Sequence, residues 1–240
     1  MGQFGLYRRA ITLVNGDGVA HAAMEDDAHH FEVKISHDGS YIQSVTGAAL
    51  RTPWTLCCDA VGLLDQFRGL PLAPDRDELR ASVNFVEHCS HLFSLTKLLM
   101  RNIELRRPPT KFRASMAVGE YERIAMLERD GVCVLRWVLA GDLITEPAGY
   151  AGVTIRGLSS WARSNITSAD TIELVLILQR AVMASNARAM NLDQVSDASK
   201  VNGLGPCYVF RPGFAERAGR VVGSTLDFSD EARDPLETRS

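Results

Sequence analysis

The chain has 240 residues, a formal net charge of −3, 46% hydrophobic and 23% charged residues. These proportions are ordinary for a globular protein able to bury a full core, and they exclude a general attraction to nucleic acid or acidic lipid. Of its 26 basic residues only Lys34, Lys97, Lys111 and Lys200 are lysines, so amine catalysis has few candidates.

The opening residues MGQFGLYRRAITLV hold two arginines with no long apolar run after them. No stretch approaches the roughly 20 apolar residues of a membrane span, and Leu174–Leu178 is far too short. Five cysteines, an odd number without a secretory signal, predict free thiols, a reducing compartment and a cytoplasmic protein.

Four strands are predicted first, near Gly5–Val14, Val19–Met24, His29–His37 and Ser40–Leu50. They are separated by the turn residues Asn15-Gly16-Asp17-Gly18, Glu25-Asp26-Asp27 and His37-Asp38-Gly39. In the third strand His29, Phe31, Val33, Ile35 and His37 share one face, which directs His29 to the core and His30 to water. Thr52-Pro53 reads as a cap and first position of a helix that carries Trp54, Cys57, Val61 and Leu64 at helical spacing and ends near Gly69. A longer helix is expected from Glu78 to Arg101, with Val83, Val86, Cys89, Phe93, Thr96 and Leu99 on one stripe.

The clearest break is Arg106-Arg107-Pro108-Pro109-Thr110. Beyond it Phe112–Arg129 and Val132–Ala140 are expected as two strands joined by Asp130-Gly131. Helices are expected at Leu158–Asn165 and at Ala169–Ser185, the second capped by Thr167 or Ser168. Val201–Arg211 reads as loop and short strand. Gly203-Leu204-Gly205 runs into Pro206 rather than a helix, so it makes no phosphate cradle, and no P-loop or dinucleotide fingerprint is present. Hairpins followed by helices give an α+β fold with an antiparallel sheet. The expected organisation is one compact domain over residues 1–226, with a sub-boundary at 106–110 and a polar, disordered tail over 227–240.

His29, Cys57, Cys89 and His91 are the side chains that carry chemistry. Singly, each thiol reads as a small buried hydrophobe and His29 as a core histidine. As a set, two Cys and two His match the tetrahedral donor set of zinc, although no Cys-x-x-Cys knuckle is present. Residues two apart on a regular helix project about 200° apart. Cys89 and His91 can therefore both face one site only if the helix starts or is distorted at His88–His91. A start there would place Cys89 at a helix N-terminus, which favours the thiolate. Asp26 and Asp27 read first as a plain acidic turn, and otherwise as carboxylates orienting an imidazole. Tyr208, after Cys207 in a Gly/Pro-rich segment, supplies a phenol or simply packs. Trp54, Trp137 and Trp161 read as core. Adjacent Cys57-Cys58 is a poor redox pair, because vicinal disulfides are strained.

The segments MEDDAHHFEV, HDG, RTPWTLCC, HCSHLFSLTKL, GPCYVF and VVGSTLDFS together resemble the bacterial DUF2889 family, a domain family of unknown function. The resemblance runs from about Tyr7 to Ser229, and its paired motifs are P-W-x-x-C and C-[ST]-H-L. It implies that His29, Cys57, Cys89 and His91 form one site, and it implies an association with aromatic-compound degradation. Cys58 stands where the family pattern has proline, and His88 where it has another residue.

The functional expectation is an enzyme of small-molecule, aromatic catabolism. A carbon–carbon lyase step of retro-aldol type needs only a base and a means of holding negative charge. His29 or His91 is the expected base, and Tyr208 or a bound zinc the oxyanion holder, with no organic cofactor. The expected partner is an aromatic small molecule, without nucleic acid or membrane, a homodimer being left open. The alternative is a non-catalytic, zinc-stabilised or ligand-binding module.

Overall fold

The computed structural model describes residues 5–118, 122–201, 207–230 and 233–237. Its strands are β1 (Leu6–Asn15), β2 (Val19–Asp26), β3 (His30–His37), β4 (Ile42–Arg51), β5 (Thr110–Val118), β6 (Arg123–Arg129), β7 (Val132–Ala140) and β8 (Leu143–Glu146). They form an open antiparallel sheet in the order β4-β3-β2-β1-β5-β6-β7-β8. With its helices this is the α+β fold that hairpin patterning predicts.

Where the sequence suggested one domain with an internal break, the chain is organised as two compact units. The first holds Ile11–Thr110 and Leu192–Leu226, and the second Met1–Ala10, Lys111–Asn191 and Asp227–Ser240. The first unit's opening segment thus ends at Thr110, the last residue of the Arg106–Thr110 break. Among the described residues no helix is long and apolar enough to cross a membrane.

In the first unit β3 alternates as the sequence requires. Phe31, Val33 and Ile35 are buried, while Glu32 and Lys34 are exposed. A 3₁₀ helix, Cys57–Phe67, packs on β4. Gly47 of β4 is required there: a Cβ would lie 2.7 Å from Leu64 Cδ1 and 2.8 Å from the Glu32 carbonyl. The expected cap at Thr52 is not used, because the 3₁₀ helix begins after Leu56. Its tighter winding buries Cys57, Ala60, Leu64 and Phe67, so Val61, assigned to the buried stripe by α-helical spacing, is only partly covered.

The long helix expected over Glu78–Arg101 is instead two. Helix α1 (Arg76–Ser82) ends at Val83, and α2 (Ser90–Glu104) starts after Cys89. A capping box fixes the start of α1: the Asp75 carboxylate accepts from the Asp77 and Glu78 amides, and Glu78 accepts from the Asp75 amide. The interruption resets the helical phase. Val86 is exposed, and α2 lays Leu92, Leu95, Thr96, Leu99 and Ile103 against β2 and β3.

In the second unit, Phe112–Arg129 divides into β5 and β6, and β8 adds a strand that the sequence reading did not include. Asp130-Gly131 turns β6 into β7 with both residues at positive φ, 52° and 81°, as a tight two-residue hairpin demands. Helices α3 (Leu158–Asn165) and α4 (Ala169–Ser185) have the expected bounds. The Ser168 hydroxyl caps α4 by accepting from the Thr171 amide at 3.2 Å. Trp137 is fully buried beside Tyr150, and Trp54 is buried in the first unit.

Val201–Arg211 carries a 3₁₀ turn at Tyr208–Phe210 rather than a strand, and Gly203-Leu204-Gly205-Pro206 lies outside the described residues. The described residues of the polar C-terminal segment are docked on the second unit, not free of it. Phe228 is buried, Asp227 accepts from Arg188 at 2.6 Å, and Asp234 pairs with Lys111 and Arg113. Composition shows that such a segment is polar but not that its charges have fixed partners.

The 3₁₀ phase separates the adjacent thiols, Cys57 inward and Cys58 exposed. Replacing Cys57 by Ser buries a hydroxyl and should cost about 1–3 kcal/mol in urea unfolding. Cys58→Ser should lie within about 0.5 kcal/mol of the parent. Equal losses would mean that the two side chains are not sorted in this way.

Candidate functional site

Asp26 closes β2, and the turn into β3 is built around its carboxylate. One oxygen, Oδ1, accepts from the Ala28 amide at 2.9 Å, the His29 amide at 2.8 Å and the His29 ring Nδ1 at 3.0 Å. The two amide contacts make the turn, and the third fixes the ring. A histidine that donates Nδ1–H to a carboxylate presents Nε2 as its basic nitrogen. Asp26 is buried and His29 only partly so, which sets the carboxylate behind the ring. Asp26 fulfils both sequence readings, making the turn and orienting the imidazole.

The carbonyls of the same turn converge on Arg51, the last residue of β4. Its guanidinium donates to the Asp26 and Asp27 carbonyls, both at 2.6 Å, to the Ser224 carbonyl at 3.1 Å and to Glu25 Oε1 at 3.0 Å. The Leu226 amide also donates to the Asp27 carbonyl, at 2.8 Å. The chain near residue 225 thus becomes one wall of the turn.

His91 reaches the site from the first turn of α2. Its ring centroid is 4.2 Å from that of His29, and Phe31 lies beneath both rings at 5.8 and 6.0 Å. Cys89 is the residue before α2 and has extended backbone (φ −65°, ψ 120°), so it does not follow the helical rotation. Both members of the Cys-x-His pair can therefore face one region. The helix start that the 200° argument demanded is present.

Hydrogen bonding from Cys207 first, and then from His91, holds the Cys89 thiol well below its ordinary range against the effect of burial. The same contact, and burial after it, push Cys207 well above that range. Cys57 is pushed up to about 12 by burial, with neighbouring Cys89 adding in the same sense. The four residues singled out in the sequence thus sort into two linked groups. His29 and His91 sit with Asp26, and Cys57 and Cys89 sit with Cys207, joined through the Cys89–His91 contact.

Among the described residues, the group with metal-ligand spacing is Asp26, His29 and His91, whose ligand atoms all lie within 4.8 Å of one another. Cys57 and Cys89 are not members of it. Tyr208 follows Cys207, but its ring packs under the Arg211 guanidinium at 4.2 Å and edge-on to Phe214. His88 is buried between Phe67 and Phe93, where burial depresses its basicity. His30 points the other way, 3.7 Å from Glu25 and 4.0 Å from Glu32.

The sequence reading ranks Asp26 first as an acidic turn and second as a carboxylate orienting the imidazole, and it leaves Cys207 out of the site. The Asp-x-x-His spacing carried a signal for Asp26, since an Asp side chain commonly bonds the amides two and three residues on. Cys207 left only the weak hint of a Gly/Pro-rich loop returning to the core. No known protein-family model matches the chain, and no curated protein matches it.

Removing the Arg51 head while keeping its bulk, Arg51→Met, leaves buried carbonyls without their donor. Unfolding free energy should fall by about 2–4 kcal/mol, measured by urea titration. A second expectation concerns alkaline pH. Folding raises Cys57 from its ordinary 9.0 to about 12, so it favours the neutral thiol. That contribution is complete below pH 9 and is lost as pH rises toward 12. The stability gap between the parent and Cys57→Ala should therefore narrow over this window, and a gap independent of pH would contradict the assignment.

Proposed function

We propose that the chain is an enzyme of small-molecule catabolism and that the Asp26–His29–His91 group is its catalytic centre. The reaction we assign to it is a retro-aldol lyase step on a hydroxylated aromatic compound. The observation that carries this reading is the 3.0 Å contact between His29 Nδ1 and the buried Asp26 carboxylate. It fixes the ring and presents Nε2 as a base.

In the proposed step His29 Nε2 removes the proton of the substrate's β-hydroxyl. The oxygen lone pair forms the carbonyl of a released aldehyde, and the carbon–carbon bonding pair passes toward the substrate carbonyl that lies β to that hydroxyl, leaving the remaining fragment as an enolate. His91, 4.2 Å from His29, is placed to donate a hydrogen bond to the charge that develops. Return of the proton from His29 to the fragment completes the cycle without an external redox partner. The aromatic character of the substrate is supported by the resemblance to DUF2889.

A second reading is favoured by one spacing. Ligand atoms of Asp26, His29 and His91 within 4.8 Å of one another suit a single divalent cation such as zinc, with three protein ligands and an open position. Under that reading a metal would hold the developing negative charge, or would simply stabilise a ligand-binding module. Metal analysis of purified protein decides it. Close to one equivalent, with a melting temperature that falls on chelation, supports the metal.

His29→Ala should abolish aldehyde release from small phenolic compounds bearing a β-hydroxy side chain. His30→Ala should keep most of it, because that ring pairs with Glu25 and Glu32 instead. If no such compound is turned over and the two variants behave alike in ligand binding, the enzyme reading gives way to the binding module.

A further inference from the structure

Residues 73–89 join the buried Leu72 to helix α2, and they are weakly anchored between those points. Only Val83, His88 and Cys89 of this stretch are buried, and α1 within it has no buried residue. Phe85 and Val86 are 54% and 59% exposed. Among the described residues, the backbone of the stretch is bonded to the rest of the molecule at two points. The Asn84 amide donates to Gln66 Oε1 at 3.1 Å, and the Cys89 carbonyl accepts from the Phe93 amide at 2.9 Å to start α2. The amides of Phe85, Glu87 and His88 donate to carbonyls of the stretch itself.

His88 is the largest of the three buried side chains. It is 1% exposed, with its ring edge-on to Phe67 and Phe93 at 5.7 and 5.8 Å. Neither ring nitrogen has a hydrogen-bond partner among the described residues. Water would supply partners to both, so burial of the imidazole carries a penalty that offsets its apolar contacts. A phenyl ring in its place would fill the same slot with no nitrogen left unmet.

We propose that residues 73–89 form a flap that opens as a unit while the sheet and the body of α2 stay folded, with His88 as its latch. Few buried side chains, and backbone bonds that turn inward on the segment, are what local opening requires. Opening withdraws His88 from between Phe67 and Phe93 and uncovers both rings at the entry of α2. It also takes the Cys89 carbonyl from the Phe93 amide, which frays the first turn of α2. His91 stands in that turn, so it is held 4.2 Å from His29 only while the flap is closed. The open form thus offers a slot for a flat apolar ligand, and closure completes the imidazole pair. This consequence for catalysis rests on the preceding lyase reading, whereas the opening itself does not.

The test is native-state hydrogen exchange of the full chain at neutral pH, followed by NMR in urea below the unfolding transition. In the parent the amides of Val83, Glu87, His88 and Phe93 should exchange through one shared opening. That opening should occur at least about 100-fold more often than the one that frees the amides of β2 and β3. His88→Phe should slow all four amides by a common factor of about ten, because the closed form then buries no unmet nitrogen. The common factor is the decisive readout, since Val83 and Phe93 lie at opposite ends of the flap and do not fray together otherwise. Should the variant fail to fold, the parent pattern alone decides. Exchange of the four amides only with global unfolding, or at unrelated rates, would overturn the flap, as would rates that His88→Phe leaves unchanged or raises. A flap that opens as described, in a protein that turns over no hydroxylated aromatic compound, would stand and count against the lyase reading alone.

Discussion

One carboxylate oxygen organises the site. Asp26 Oδ1 accepts from two backbone amides and one imidazole nitrogen, all between 2.8 and 3.0 Å. The amides define the turn between β2 and β3, so the residue that shapes the backbone also selects the face of His29 that is presented. A buried carboxylate is costly unless its lone pairs are met by donors, and here the donors are the groups whose position matters. Arg51 completes the arrangement from the other side. It satisfies the carbonyls that the turn leaves over and ties them to the chain at Ser224.

The interruption between α1 and α2 has a comparable effect. A continuous helix would have turned Cys89 and His91 to different sides. Ending α1 at Val83 and restarting after Cys89 leaves the sulfur on extended backbone and the imidazole in the first helical turn. His91 thereby contacts His29 on one side and Cys89 on the other. Proton-transfer groups and thiols become parts of one connected cluster, although the residues that build it come from four separate segments of chain.

The thiols show how environment separates identical chemistry. Cys57 and Cys58 are neighbours in sequence, yet one is buried and held neutral while the other is exposed. Cys89 and Cys207 are alike in type and shifted in opposite directions, because a shared hydrogen bond stabilises charge on one sulfur only. The C-terminal segment makes the same point for carboxylates. Asp227 is held near 2 by the Ser229 hydroxyl and amide, with Arg188 adding.

Local pattern determined the hairpins of β2, β3 and β4, the Asp130-Gly131 turn and the bounds of α3 and α4. Period-two alternation and turn chemistry act over a few residues and need no distant partner. His29 stands just before β3 and is partly exposed like His30, so its orientation comes from the Asp26 turn and not from the strand alternation that the sequence suggested. Local pattern did not reveal that residues 57–67 wind as a 3₁₀ helix, since Cys57, Val61 and Leu64 also fit α-helical spacing and the packing on β4 that buries Ala60 in place of Val61 is not local. Nor did it place the stop at Val83. The Asp26–His29 turn is local, but its meeting with His91 was decided by tertiary structure. Which of several chemically able side chains come within 3 to 5 Å depends on how strands, helix entry and a returning loop are packed, and that information is spread over residues that carry no chemistry themselves.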